Sequence, residues 1–286
     1  MTPVVAVIAP GAMGAASGKR LADRGLKVLT SLAGRSESTA ARARESGMVA
    51  ASDEEIASAD FILSILPPGD ALSLARRFAP ALTASNAKPV YVDCNAINPV
   101  TVGRVAAAIA PTGCPFVDCG IIGPPPRGAD FSPRFYASGE AAQRFATLRQ
   151  YGLDVRVLEG SLSAASALKM SYAGITKGTQ AIGAAMMLAA TRAGSAEALF
   201  AELAFSQKEM LAQFRQLLPM MPAKAYRWIA EMQEIAGFVG DDPAARELYQ
   251  GAAHFYQRVA EDFSGDQQDV AALTAFLGND SSGGQA

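Results

Sequence analysis

Lys169 stands in an apolar stretch, with Leu168 before it and Met170 after it. Burying an ammonium group costs solvation energy, so a lysine there needs a task or a route to water. Beside a carbonyl or alcohol, its amine could pass a proton as a general acid or base, or hydrogen-bond the oxygen. Periodicity alone equally accommodates a stem lying along apolar surface with its head in water. A second candidate follows the first apolar run. Val4, Val5, Ala6, Val7 and Ile8 lead into Ala9-Pro10-Gly11-Ala12-Met13-Gly14 and then a helical segment. Strand, glycine turn and helix start, in that order, present main-chain amides to a pyrophosphate. Gly11 would let the backbone approach the phosphates, and Gly14 would let helix and strand pack closely. The first glycine of the usual G-x-G-x-x-G is Ala9 here. After the second expected strand, Leu32-Ala33-Gly34-Arg35-Ser36 holds no acidic residue to read a ribose 2′-hydroxyl. Arg35 and the Ser36 hydroxyl suit a 2′-phosphate, which favours NADP(H) over NAD(H). A solvated arginine beside a helix cap is the alternative.

The elements around these residues alternate. Strand-like runs fall at 4–8, 27–32, 61–66, 90–92 and 116–117. Helical segments fall at 15–23, at 36–46 with Ser36 as cap, at 70–82 and at 101–110. Ser52-Asp53-Glu54-Glu55 has the form of a capping box and opens one more short helix. This alternation implies parallel βαβ units in a doubly wound sheet, a Rossmann-type α/β domain over 1–160. The later chain reads as helix throughout: one long helix over 161–192, then 196–218, 223–236, 243–262 and 267–276. It forms an all-helical domain over 161–278, with a small, polar tail at 279–286 expected to fray.

Composition excludes several classes. The chain has 286 residues, half of them hydrophobic, which is enough for about two domains with real cores. Lys plus Arg is 25 and Asp plus Glu is 27, a net charge of −2 that gives no electrostatic case for nucleic acid or an anionic membrane. Cys94, Cys114 and Cys119 are too few for a disulfide framework and lack the companions of a zinc site. The apolar stretch at 178–191 is too short to span a bilayer. No basic residue precedes the first apolar run, which therefore reads as a strand and not as a secretion signal. A reducing cytoplasm is the simplest setting. The single histidine, His254, excludes mechanisms that need a histidine pair; it reads as a packed or interfacial residue.

In order and spacing, the motifs from Val4 to about Gln180 resemble the β-hydroxyacid dehydrogenases. That family includes 6-phosphogluconate and 3-hydroxyisobutyrate dehydrogenases and the imine reductases. Its G-x-G-x-M-G turn is matched by Ala9 to Gly14, its Asn-Arg-Thr by Gly34-Arg35-Ser36, and its Leu-Pro by Leu66-Pro67. Its D-x-S-T-x-x-P segment is matched by Asp93-Cys94-Asn95-Ala96-Ile97-Asn98-Pro99. Its glycine-rich substrate loop corresponds to the stretch holding Ile122, Gly123 and Arg127. Its catalytic lysine motif resembles the residues from Ser166 to Ala173. The resemblance implies Lys169 as general acid or base for hydride transfer between NADP(H) and a small hydroxy or carbonyl substrate. It implies cofactor contacts from Pro10, Gly11, Ala12, Met13, Arg35, Ser36, Leu66, Pro67 and Asn95. It adds Lys224, in the place of a family lysine near the nicotinamide, although Arg227 and Glu231 also make that segment an ordinary charged helix face. It implies substrate contacts from Asn95, Ile122, Gly123, Arg127 and Tyr172, and a homodimer through the helical domain, whose long helix is rich in apolar residues. Several family positions have changed: Asn95 replaces Ser, Ala96 replaces Thr, Pro124 replaces Gly and Ala173 replaces Asn. A standard short 3-hydroxy acid is therefore not the expected substrate. An imine reductase on the same fold and a noncatalytic dinucleotide-binding protein remain as alternatives. Retained Lys169 counts against both.

Overall fold

β1 (Val4–Ile8) and β2 (Lys27–Thr30) pair in parallel through the helix between them, α1 (Ala12–Asp23). The chain continues through α2 (Glu37–Glu45), β3 (Val49–Ala50), α3 (Asp53–Ile56), β4 (Phe61–Ser64), α4 (Ala71–Ala84), β5 (Val90–Asp93) and α5 (Pro99–Ile109). β6 (Phe116–Ile122), β7 (Arg134–Ser138), α6 (Ala142–Phe145) and β8 (Asp154–Val157) complete one sheet, in the order β3-β2-β1-β4-β5-β6-β7-β8. The computed structural model describes residues 2–128 and 131–278, so the tail expected at 279–286 lies outside the described residues. The chain divides into two compact units, Met1–Met170 and Ser171–Ala286.

In the first unit the expected doubly wound sheet is present. Its central strands β1, β4 and β5 are buried on both faces, as a helix-covered parallel sheet requires, while the edge strand β3 is exposed. Val5, Val7, Leu63, Val92 and Val117 pack with Leu21 of α1 and Phe145 of α6. Ala6, Ile8, Ile62 and Tyr91 pack on the other face with Phe78 and Leu82 of α4 and Val102 and Val105 of α5. Each Val, Leu, Ile or Phe among them contributes about 1.5–3 kcal/mol through burial. The capping box at Ser52 forms in full: Glu55 N–H donates to Ser52 Oγ, and Ser52 N–H donates to the Glu55 carboxylate.

Three expectations need correction here. β6 does not end at Val117 but runs to Ile122, so Ile122, expected in the glycine-rich substrate loop, is the last residue of a strand. β7 and β8, missed in the sequence, extend the sheet, with β7 antiparallel to β6 and β8 parallel to β7. Their short segments are stabilised by pairing with a buried edge that no local pattern reveals. The long helix, α7, is Ala164–Arg192 and starts three residues later than expected. Arg20 of α1 is 7% exposed and donates to three main-chain carbonyls: Gly152 at 3.0 Å, Gly128 at 2.9 Å and Phe131 at 2.8 Å.

The second unit is helical: most of α7, then α8 (Ala196–Ser206), α9 (Lys208–Leu217), α10 (Pro222–Phe238), α11 (Pro243–Ser264) and α12 (Gln268–Gly278). The single helix expected at 196–218 is two helices, broken at Gln207 (φ −135°, ψ 46°). The break lets Phe200 of α8 meet Phe276 of α12 edge-on while Phe214 of α9 rests on Gly183 of α7. Lys177 and Glu231 form a half-buried ion pair, and Lys177 Nζ lies 5.1 Å from the Trp228 ring centre. Tyr256 Oη donates to the Lys177 carbonyl at 2.6 Å. Among the described residues no helix is long and apolar enough to cross a membrane.

Candidate cofactor and catalytic site

The turn after β1 has the shape its sequence suggested. Gly11 begins α1 with no side-chain cap, and the first turn of α1 holds no acidic residue, so its amides are open to an anion. A Cβ on Gly11 would meet nothing within 4 Å, leaving the backbone approachable. A Cβ on Gly14 would lie 2.0 Å from the Ala9 carbonyl oxygen, so only glycine allows α1 to sit this close to the turn. Pro10 is buried, Gly11 and Ala12 are exposed, and Met13 is half-buried against the core. The Gly11 N–H is donated to the Ala9 carbonyl at 2.8 Å, which leaves the first amides of α1 itself for an anion; this open cradle fits a dinucleotide, and Ala9 in place of the first glycine does not close it. Arg35 is exposed beyond β2. Ser36 caps α2, its Oγ accepting from Thr39 N–H at 3.4 Å. Arg42, which no sequence motif singles out, donates from Nη1 to the Pro10 carbonyl at 3.2 Å. An arginine at the sixth position of an exposed helix carries no signal that it touches the turn.

Leu66 and Pro67 follow β4 on the same edge of the sheet. Asn95 is tied to the protein around it. It is 2% exposed, its amide donates to Ser64 Oγ at 2.9 Å, and its carbonyl accepts from Leu66 N–H at 2.5 Å. Asn95 thus holds the Leu66 loop. The sequence did not show that Ser64, Asp93, Asp118 and Ser138 stand in register on four neighbouring strands, all fully buried. Burial pushes the Asp93 carboxyl up to about 7, opposed by the Asn95 N–H and reinforced by the neighbouring Asp118 charge. Burial pushes Asp118 up to about 6 against two bonds from Ser166.

Asp93 has a measurable consequence. In the unfolded chain its carboxyl ionises near pH 4, whereas in the fold it keeps its proton to about 7. Its contribution to stability is therefore complete below about pH 4 and lost as pH rises through 7. Asp93→Asn should gain on the wild type by about 1–3 kcal/mol between pH 4.5 and 7.5 in denaturant titrations. Parallel stability profiles for the two proteins would sink this prediction.

The start of α7 is fastened to β6 and β7. Asp118 accepts from Ser166 N–H at 2.7 Å and Ser166 Oγ at 2.6 Å. Ser138 Oγ accepts from Ala165 N–H at 3.0 Å and donates to the Leu162 carbonyl at 2.8 Å. Gly120 allows the close approach: a Cβ there would lie 2.7 Å from the Ala165 carbonyl oxygen and 3.0 Å from Lys169 Cβ. One turn into the helix, half-buried Lys169 donates from Nζ to the Ile121 carbonyl at 2.8 Å. Ile122 ends β6 half-buried, Gly123 takes φ 122° beside Pro133, and Arg127 is exposed, its N–H donating to the Phe131 carbonyl. In the second unit Tyr172 is 49% exposed and Lys224 lies half-buried in the first turn of α10.

Residues 4–150 match the NAD binding domain of 6-phosphogluconate dehydrogenase, just over half of the chain. The chain belongs to this family. Residues 190–259 match a domain of unknown function. An uncharacterised 28.5 kDa protein of Methanothermus fervidus is 30% identical over 159 residues, which is 55% of this chain and 59% of that relative. A conserved protein of unknown function, described as structurally similar to 3-hydroxyacid dehydrogenases, aligns with a TM-score of 0.70 at 28% identity. That alignment covers 94% of this chain and 99% of the other. The 3-hydroxyisobutyrate dehydrogenase of Mycobacterium tuberculosis, solved with L-serine, aligns with a TM-score of 0.71 at 19% identity. It covers 96% of this chain and 99% of its own, and shows a shared fold. With these relatives, the chain is a divergent member of the β-hydroxyacid dehydrogenase family, with an NAD(P)-binding domain and a helical domain.

Proposed function

We propose that this chain is an oxidoreductase that interconverts a small hydroxy compound and its carbonyl, prefers NADP(H), and uses Lys169 as general acid and base. One observation carries the reading. Lys169 Nζ is held at the Ile121 carbonyl near the carboxyl end of β6, the sheet edge on which the phosphate turn after β1 also lies. Ligands of doubly wound sheets bind outside that edge.

Bound there, a nicotinamide supplies hydride donation or acceptance at carbon. The amides of Ala12 and Met13 at the start of α1 take the pyrophosphate, the Gly11 N–H being given to the Ala9 carbonyl at 2.8 Å, and Arg35 and Ser36 take the 2′-phosphate. Leu66 and Pro67 line the cofactor, with Asn95 fixing their loop. An ammonium has three N–H groups, and Ile121 accepts one, leaving two for a substrate oxygen. In reduction Lys169 gives the oxygen a proton; in oxidation the neutral amine takes one back. Ile122, Gly123, Arg127 and Tyr172 are the substrate contacts, Arg127 supplying the positive charge for an anionic group.

Titration with NADPH and NADH, followed by turnover with aldehydes, ketones and cyclic imines, tests this reading. NADPH binding and carbonyl reduction are expected. A folded protein that binds neither nucleotide would refute it.

The partner belongs to the same proposal: a second copy of this chain. Tyr172, Ile175, Ile182 and Met186 of α7 are 49, 69, 53 and 57% exposed, at spacings that make one apolar stripe. Light scattering should give twice the 29.7 kDa chain mass. A monomer mass would remove the dimer and leave the chemistry untouched.

A further inference from the structure

Arg42 is an exposed arginine on α2 whose guanidinium is held at the Pro10 carbonyl, 3.2 Å away, in the phosphate turn. Two other guanidinium groups of this region are already neutralised. Arg44 meets Glu37 at 2.7 Å, and Arg77, which reaches Ser31 just past β2, grips both oxygens of Asp53 at 2.6 and 2.9 Å. Arg42 forms no ion pair among the described residues. One carbonyl uses one of its five N–H donors.

We propose that Arg42 is a second cation for the cofactor's adenosine 2′-phosphate, acting with Arg35 and setting the preference for NADP(H); this rests on the cofactor reading above. The argument is one of charge and place. A phosphate monoester carries between one and two negative charges near neutral pH, more than one guanidinium offsets. The chain after β2 reads the adenosine ribose, and the turn after β1 reads the pyrophosphate. A side chain on α2 that touches the turn stands beside the ribose, between the two. The amides of α1 already serve the pyrophosphate, so the additional charge is placed for the 2′ position. The Pro10 bond also restricts Arg42 before the nucleotide arrives, which lowers the entropic cost of engaging it.

Calorimetric titration of the whole protein with NADPH and with NADH, for wild type, Arg42→Gln, Arg42→Lys and Arg35→Gln, tests this. A charge-assisted phosphate contact removed should weaken NADPH binding about 10- to 100-fold, with NADH changed less than twofold. Arg42→Lys keeps the charge without the fork and should fall between, and it decides the matter if Arg42→Gln does not fold. Wild type preferring NADPH with both Arg42 variants unchanged overturns this inference alone. Equal weakening of NADPH and NADH overturns it by assigning Arg42 to the pyrophosphate or the turn. Wild type that favours NADH, or that binds neither nucleotide, overturns the cofactor reading and this inference with it.

Discussion

Lys169→Ala is expected to lower turnover by about 10²–10⁴-fold, the range a positioned general acid or base supplies, with little change in NADPH affinity. The two parameters separate because of where the side chain is. Its one recorded hydrogen bond is to the Ile121 carbonyl on β6, and no element of the phosphate turn depends on it. Alanine keeps the helix, since it has the best helix propensity of all residues. Lys169→Arg is the sharper control. It retains charge and hydrogen bonding but cannot give up its proton near neutral pH. If proton transfer is the task, arginine should recover little of the lost turnover; if oxyanion stabilisation is the task, it should recover part of it. Both variants are read by following NADPH oxidation with the best substrate of the carbonyl and imine panel. Turnover unchanged in Lys169→Ala would remove this residue from the mechanism.

Gly120→Ala should lower turnover by about 100-fold although residue 120 offers no reacting group. The added methyl would lie 2.7 Å from the Ala165 carbonyl oxygen, a backbone atom that cannot rotate away. Either β6 or the first turn of α7 must move. The same turn is tied to Asp118 and Ser138 by three hydrogen bonds, with a fourth from Ser138 to Leu162 just before it, so the shift is resisted and reaches Lys169, whose Cβ is the next atom in the way at 3.0 Å. Displacing a catalytic group by about 1 Å can cost about 100-fold in rate. Overpacking should also destabilise the fold by about 1–3 kcal/mol. Turnover and stability measured together are decisive. Wild-type turnover in Gly120→Ala would mean that α7 accommodates the methyl without moving Lys169.

What the sequence made legible was local or ordered along the chain. Apolar runs bounded by glycine and proline marked β1, β4 and β5, and the turn at Gly11 and Gly14 marked the cofactor edge. What stayed hidden depends on contacts between distant residues. The Asp118–Ser166 pair spans 48 positions, and neither residue type signals a partner. The Gln207 break has no glycine or proline to announce it, because it follows from two phenylalanines reaching different helices. Asn95 stands in a stretch that matches a substrate motif, and the sequence does not show that its amide, just past β5, also bonds Ser64 Oγ and the Leu66 N–H and so holds the loop after β4. Motifs are local in sequence, whereas the side chains that hold others in place are defined by packing between distant residues.

Arg20 shows what such holding means for substitution tolerance. Its planar fork serves carbonyls on both sides of residues 129–130 and a third at Gly152, so one α1 side chain joins the cofactor helix to the stretch after Arg127 and to the turn before β8. Lysine would conserve the charge but not the fork, and its compact ammonium could not reproduce that planar pattern of contacts. A substitution matrix scores this exchange as mild. In a mutational scan, position 20 should instead reject lysine nearly as strongly as it rejects a neutral residue, because its role is set by geometry and not by charge.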